Sequence, residues 1–427
     1  MTQSQLHRLT LPNGLRVVLA PDDTSPVVGV SVHYDVGFRS EPEGRTGFAH
    51  LFEHLMFQGS ESLEKLAHFR HVQSSGGTFN GSTHPDYTDY FMVLPSAGLE
   101  RALFLEADRM RAPKLTEENL RNQIDVVKEE IRLNVLNRPY GGFPWILLPP
   151  VLYQTFPNAH NGYGDFTDLE QASLADCAAF FDTFYAPANA VLTVAGDFTV
   201  DKAAALVDKH FGDVPARPAP VRPSFAEPPP AGQLRGEHPD PHAPLPALAV
   251  GYRVPDPIQE IDGYVAYLVL AGVLADGDGS RLKQRLVHRE PLVTDVNAGC
   301  GLFGPFEARD PDTFTITAMH TPAVSEDRLL AAIDEELETL ADEEPSAEEL
   351  AKVTARWAAT LHREHDRLVS RTLALGAFEL LYGDPKLVYE LPEKISAVSR
   401  DAVAAAAKSL RPDSRAVLTV VPAGGTA

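Results

Sequence analysis

Gly47-Phe48-Ala49-His50-Leu51-Phe52-Glu53-His54-Leu55-Met56-Phe57 is the stretch whose reading decides this chain. Its spacing predicts a helix that is apolar almost all round, through Phe48, Ala49, Leu51, Phe52, Leu55, Met56 and Phe57, and a helix of that kind is buried. Only His50, Glu53 and His54 interrupt it. At i, i+3 and i+4 they stand on one face. Buried polar groups need partners. A divalent metal and its water would supply them: two imidazoles one turn apart bind Zn²⁺ through nitrogen, and a carboxylate beside them can take a proton from the water.

A catalytic zinc wants a third protein ligand and an open fourth position. A long helix is expected from Thr116, with Leu120, Ile124, Val127 and Ile131 as its core stripe, and it offers Glu117, Glu118, Asp125, Glu129 and Glu130. Glu130 shares a face with Val126, Val127 and Asn134, whereas Glu129 falls on a polar stripe with Asp125 and Arg132. Glu130 is preferred on that ground alone.

The 427 residues exceed one ordinary hydrophobic core, so two or more domains are expected. The net charge is −22, from 59 acidic and 37 basic residues. That balance argues against a nucleic-acid partner or an anionic membrane surface. Cys177 and Cys300 form no C-x-x-C motif and read as buried thiols. Met1 to His7 lacks a basic region followed by an apolar run, and no apolar run approaches the roughly 20 residues that span a bilayer. The expected compartment is the cytoplasm.

Taken in order, His7–Leu11 and Leu15–Ala20 read as a hairpin about Pro12-Asn13-Gly14, and Val27–Val36 as a strand with Val28, Val30 and Val32 on one face. A helix is expected over 61–74, strands over 76–83 and 87–94, and a helix over 99–110. Later come a helix over 173–184, a strand over 190–195 and a helix over 200–211. Eleven prolines lie between Pro215 and Pro246, so an extended linker is placed at 213–235. The same grammar then repeats: strand 247–252, helix 261–274, strand 313–319, helix 326–340, and a long helix from Ser346 to Arg367. Ala190-Val191-Leu192-Thr193-Val194 recurs as Ala416-Val417-Leu418-Thr419-Val420, each after a proline turn and a helix, which suggests duplication. The fold class is α+β: two homologous halves, 1–212 and 236–427, each a mostly antiparallel sheet packed with helices on one face. The repeat is not chemical. Aligning Leu120 with Leu350 sets Glu130 opposite Thr360, and nothing in the second half matches His50 and His54.

The residues Gly47-x-Ala49-His50-x-x-Glu53-His54-x-x-Phe57-x-Gly59-Ser60, followed by Val127-Lys128-Glu129-Glu130-Ile131, resemble the pitrilysin/insulinase family of inverted zincins. Glu130 follows the second histidine by 76 residues, close to the family's spacing, and the resemblance extends through Gly76-Gly77 to Asn80, Asp86-Tyr87-Thr88 and Tyr185-x-Pro187-x-Asn189. It implies a zinc endopeptidase acting on peptides or unfolded segments in an enclosed chamber, with His50, His54 and Glu130 as metal ligands and Glu53 as general base. It also implies that the strand near Thr78–Thr83 pairs with extended peptide, with Asn80 facing the substrate.

Two positions depart from the family. Gln123 stands where many members carry a second glutamate on the face of the third ligand. It can hydrogen-bond a ligand from behind but cannot act as a carboxylate. Arg285, in Ser280-Arg281-Leu282-x-x-Arg285, matches the family's substrate-holding arginine, but Leu292 stands where its companion tyrosine would be. A homodimer, or a heterodimer with a related subunit carrying the Arg/Tyr pair, is therefore expected. The competing reading is a catalytically silent structural or peptide-binding subunit of a heteromeric peptidase complex. Elsewhere, His362, Glu364 and His365 read as a solvated helix face, and Asp276-Gly277-Asp278-Gly279-Ser280 as a turn before a helix.

Overall fold

A computed structural model describes residues 6–230 and 232–423. Met1–Gln5, part of the stretch read as lacking a secretory leader, lie outside the described residues. In the first half the chain runs through β1 (His7–Thr10), β2 (Arg16–Pro21), β3 (Val27–Tyr34), α1 (Phe48–Leu55), α2 (Ala67–Gln73), β4 (Thr78–Thr83), β5 (Thr88–Pro95), α3 (Leu99–Arg111) and α4 (Glu117–Ile131). Three short helices follow, α5 (Pro149–Leu152), α6 (Phe156–Ala159) and α7 (Phe166–Glu170), then α8 (Leu174–Phe184), β6 (Ala190–Gly196) and α9 (Val200–Phe211). The second half comprises β7 (Leu234–Asp240), β8 (Ala247–Arg253), α10 (Ile261–Ala275), α11 (Arg281–Lys283), β9 (Val293–Cys300), β10 (Thr313–His320), α12 (Glu326–Glu343), α13 (Ala347–Asp366), α14 (Leu368–Leu381), α15 (Leu387–Ser396), α16 (Arg400–Ser409) and β11 (Arg415–Pro422).

The two sheets have the orders β1-β2-β6-β3-β5-β4 and β7-β11-β8-β10-β9. In each, the last strand of the half enters beside one parallel neighbour and one antiparallel neighbour: β6 between β2 and β3, β11 between β7 and β8. The repeated Ala-Val-Leu-Thr-Val segments are these two strands, and each follows a 3₁₀ turn, Pro187–Asn189 or Pro412–Ser414. The halves are homologous α+β units, with β1 an addition at the edge of the first.

Val28, Val30, Val32 and Tyr34 point to one face of β3 and are fully buried, and α3 packs on β3 and β5. The opposite face, with Gly29, Ser31 and His33, is covered by α14. A Cβ on Gly29 would stand 2.3 Å from Thr372 Oγ1, and one on Gly376 would stand 2.4 Å from His33 Nδ1. Val18, Tyr87 and Val191 close this layer against Ala377, Leu380 and Leu381. The second sheet has the same design: Leu148, Leu152 and Tyr153 pack on Ala249, Ala416 and Leu418.

The compact units therefore differ from the contiguous halves expected at 1–212 and 236–427. One unit extends up to Lys128 and includes Gly162–Pro223 and His362–Glu390; the other comprises Glu129–Asn161, Ser224–Leu361 and the chain from Leu391. Each sheet takes the cover of its second face from the other half of the sequence.

Three local expectations change. The helix expected over 61–74 is confined to Ala67–Gln73, because Asp108 binds Ser60 Oγ, Ser62 N and Ser62 Oγ and draws the preceding residues into turns. The linker ends earlier than 235, since β7 begins at Leu234; Pro239 is accepted there because β7 pairs only with β11, at the sheet edge. The linker is extended but not free: Glu227 accepts from Gln154 N (2.8 Å), Thr155 N (3.0 Å) and Asn158 Nδ2 (2.8 Å). Finally, His365 is buried, not solvated, with its imidazole pKa lowered chiefly by burial. Cys177 and Cys300 are free and buried, as expected, and burial pushes the Cys177 thiol up to about 12.

Candidate metal centre and peptide edge

The carrier of the site is α1, and its placement begins at its first turn. Gly47 has φ +79°, and a Cβ there would come within 2.5 Å of the Tyr163 carbonyl oxygen, so only glycine fits. The buried Glu41 carboxylate accepts from Gly47 N (2.9 Å) and Ala49 N (2.7 Å), satisfying amide groups that the helix itself cannot. One residue earlier, Thr46 is fixed by Asp168, which accepts from Thr46 N (3.0 Å) and Oγ1 (2.7 Å). The apolar side of α1 packs on aromatic rings: Phe48 and Phe52 lie 5.4 and 5.2 Å from Phe180, and Phe52 lies 4.7 Å from Tyr185.

The remaining face holds His50, Glu53 and His54. The two imidazoles stand edge to face with centroids 4.8 Å apart, and His50 also meets the Tyr163 ring at 5.2 Å. One ligand atom each from His50, His54 and Glu130 lie within 4.8 Å of one another, the only such group among the described residues. Two imidazole nitrogens and one carboxylate oxygen suit zinc. Gln123 adds a second fit. Its Oε1 lies 3.3 Å from His54 Nδ1, while its Nε2 donates to Asn122 Oδ1 at 2.9 Å. With the amide so oriented, a proton on Nδ1 would donate to Gln123 and leave the Nε2 lone pair available to an ion.

Glu130 lies on α4, but the face it shares is not the one taken from the sequence. Val126 and Asn134, expected to share an inward face with it, are exposed. The operative stripe is Gln123, Val127 and Glu130, at i, i+4 and i+7, with the first two buried. Glu129 is exposed and pairs with Arg132 at 3.2 Å.

Glu53 is 9 % exposed and lies against β4. Thr83 Oγ1 donates to Glu53 Oε2 at 2.7 Å, and a Cβ on Gly81 would stand 3.2 Å from Glu53 Cγ. Nearby, the hydroxyls of Tyr90 and Tyr185 share a hydrogen bond of 2.9 Å. Burial raises both phenol pKa values, and the Glu53 charge raises each further, so these rings stay neutral beside the carboxylate. The Arg109 guanidinium covers the Tyr90 ring at 4.2 Å and is paired with buried Glu106.

β4 is the edge of its sheet, paired only with β5, and Asn80 is exposed on it. Arg285 lies in the other unit, on the π-helical turn Gln284–Arg289. Its guanidinium pairs with Glu335, with Glu336 at 3.4 Å and with Glu290 at 3.6 Å. Sequence reasoning missed Glu41, Thr83 and Asp168. Thr83 was visible only as the end of a strand, and nothing local marks Glu41, six residues before the backbone it caps.

The sequence profile described as "Insulinase (Peptidase family M16)" matches residues 16–138, and the one described as "Peptidase M16 inactive domain" matches residues 171–356. The chain is 31 % identical over 351 residues to "Zinc protease PqqE" of Helicobacter pylori, covering 81 % of this chain and 77 % of that protein. It is 25 % identical to the uncharacterized zinc protease YmxG of Bacillus subtilis, covering 98 % of this chain and 99 % of the other. The crystal structure of a protease from Helicobacter pylori superimposes with a TM-score of 0.90 at 26 % identity, covering 98 % of this chain and all of that one.

Proposed function

Because the chain belongs to the pitrilysin/insulinase family of peptidases (M16), we propose that it is a zinc-dependent endopeptidase that cleaves peptides or unfolded segments. The observation that carries this reading is the convergence of His50, His54 and Glu130 ligand atoms within 4.8 Å, beside the Glu53 carboxylate. Zinc bound there would polarise the scissile carbonyl and make water nucleophilic near neutral pH. Glu53 takes the proton of the attacking water and returns it to the departing amine, general base first and general acid second. Gln123 keeps His54 in the tautomer that leaves Nε2 for the ion. The outer edge of β4 seats the peptide as an added strand, so main-chain hydrogen bonds supply affinity with little demand on sequence, and Asn80 faces the bound chain.

Leu292, where the family's tyrosine would stand, favours a second chain that completes substrate binding, a copy of this one or a related subunit. Arg285 would serve the substrate only by leaving Glu335 and Glu336, which now hold it.

Zinc content and cleavage of a quenched peptide, compared between wild type and Glu53→Gln, test the reading. One zinc per chain is expected in both, with cleavage in wild type alone, strengthened by the partner chain. Metal-free wild type, or an undiminished rate for Glu53→Gln, would reject it. Zinc-loaded wild type that cleaves nothing even with its partner chain would favour a silent, peptide-binding subunit.

A further inference from the structure

Resting on that reading, we propose that Thr83 is a positioning residue for the Glu53 base, so that the strand that seats the peptide also holds the group that activates water. Three observations meet here. Thr83 Oγ1 donates to Glu53 Oε2 at 2.7 Å. Gly81, two residues earlier on the same strand, leaves space that a Cβ would fill to within 3.2 Å of Glu53 Cγ. β4 has a hydrogen-bonded neighbour on one side only, so its other edge is where an extended peptide would pair.

The Glu53 carboxylate is buried beside β4, and the Thr83 hydroxyl is a neutral donor to one of its oxygens. A general base acts only when its oxygen stands within hydrogen-bond reach of the proton it takes. The Thr83 hydroxyl fixes Oε2 and so sets the plane in which the carboxylate meets water. Because Thr83 closes β4 at its pairing with Thr88, a peptide laid along the free edge stiffens the same strand that carries this hydroxyl. Docking and base alignment become one event. Thr83 acts through Glu53 and touches no reacting atom itself.

The test compares wild type, Thr83→Val and Thr83→Ser. Valine keeps the shape and β propensity of threonine and removes only the donor. Loss of a hydrogen bond to a charged group predicts a fall in kcat of about 10- to 100-fold, with KM within about twofold. Zinc content should be unchanged, and serine should restore kcat. A second readout needs no turnover: in crystals of metal-free Thr83→Val, the Glu53 carboxylate should leave the orientation it has in wild type. A wild-type kcat in Thr83→Val, a loss confined to KM, or an unmoved Glu53 carboxylate would overturn the inference. Zinc-loaded wild type inert toward peptide would reject the peptidase reading, whereas the carboxylate orientation would still decide the role of Thr83.

Discussion

Gln123 shows how one side chain behind a proposed ligand would set what that ligand can do. Its Oε1 lies 3.3 Å from His54 Nδ1, and its own amide is held by Asn122 at 2.9 Å, so the orientation of the pair is fixed from both ends. Groups in this position are worth roughly 10- to 100-fold in metal affinity. Gln123→Ala should therefore weaken zinc binding by about that factor, read by competition with a chromogenic chelator, with no change in thermal unfolding of the metal-free protein beyond what a buried amide costs. An unchanged zinc affinity would place Gln123 in packing alone. A glutamate here would make the same contact with a charge, so Gln123→Glu should bind zinc at least as tightly as wild type. The residues that could be read from the sequence were those that interrupt a pattern: three polar groups on an apolar helix announce themselves. Glu41, Asp168 and Thr83 could not be read, because a carboxylate or hydroxyl in an irregular or polar segment has no background against which to stand out.

At the level of elements, α14 and the sheet face beneath it carry a pH dependence. His33 on β3 is 1 % exposed, with Asp89 opposite it on β5 and Gly376 of α14 above it. Burial pulls its pKa from 6.5 down to about 4, the nearby His84 also lowers it, and Asp89 pulls the other way. A histidine held neutral in the fold but free to protonate when unfolded leaves stability intact above its ordinary value. That stability is lost as pH falls through the window from 6.5 to about 4, in all by about 3 kcal/mol. The loss of unfolding free energy between pH 7 and pH 5, measured in urea, should be smaller by about 2 kcal/mol in His33→Gln than in wild type. Equal losses would mean that His33 is solvated or protonated in the fold. The same face explains why α14 could not be assigned to this sheet from sequence. Gly29, Ser31, His33 and Thr193 are small or polar and carry no apolar signal for a covering helix, yet Ser31 Oγ and Thr193 Oγ1 are buried there without hydrogen-bond partners among the described residues. Strongly apolar β6 and β11, by contrast, were legible as strands and as repeats. The polar β9 and the proline-bearing β7 were not, since neither carries the alternation that marks a half-buried strand.

For the whole chain, duplication explains the two sheets, but the compact units are not the two copies. Each sheet is covered on its second face by a segment from the other copy: 362–390 on the first, 129–161 on the second. The covering contacts are apolar and closely fitted, with Ala377, Leu380 and Leu381 against Val18, Tyr87 and Val191 in one case, and Leu148, Leu152 and Tyr153 against Ala249, Ala416 and Leu418 in the other. A first half alone would therefore expose a row of buried side chains and the small residues that α14 now covers, a surface that monomeric domains avoid. Residues 1–223 expressed without the rest should bind the dye ANS and unfold without a cooperative transition. Co-expression with residues 224–427 should abolish the dye signal and restore cooperativity. The intermediate case discriminates further: adding only a peptide spanning 362–390 should recover part of the cooperativity, because that segment alone supplies the missing layer of the first sheet. Cooperative unfolding of residues 1–223 without dye binding would show that the first sheet needs no cover from the second copy. The exchange of segments would then serve connection and not stability.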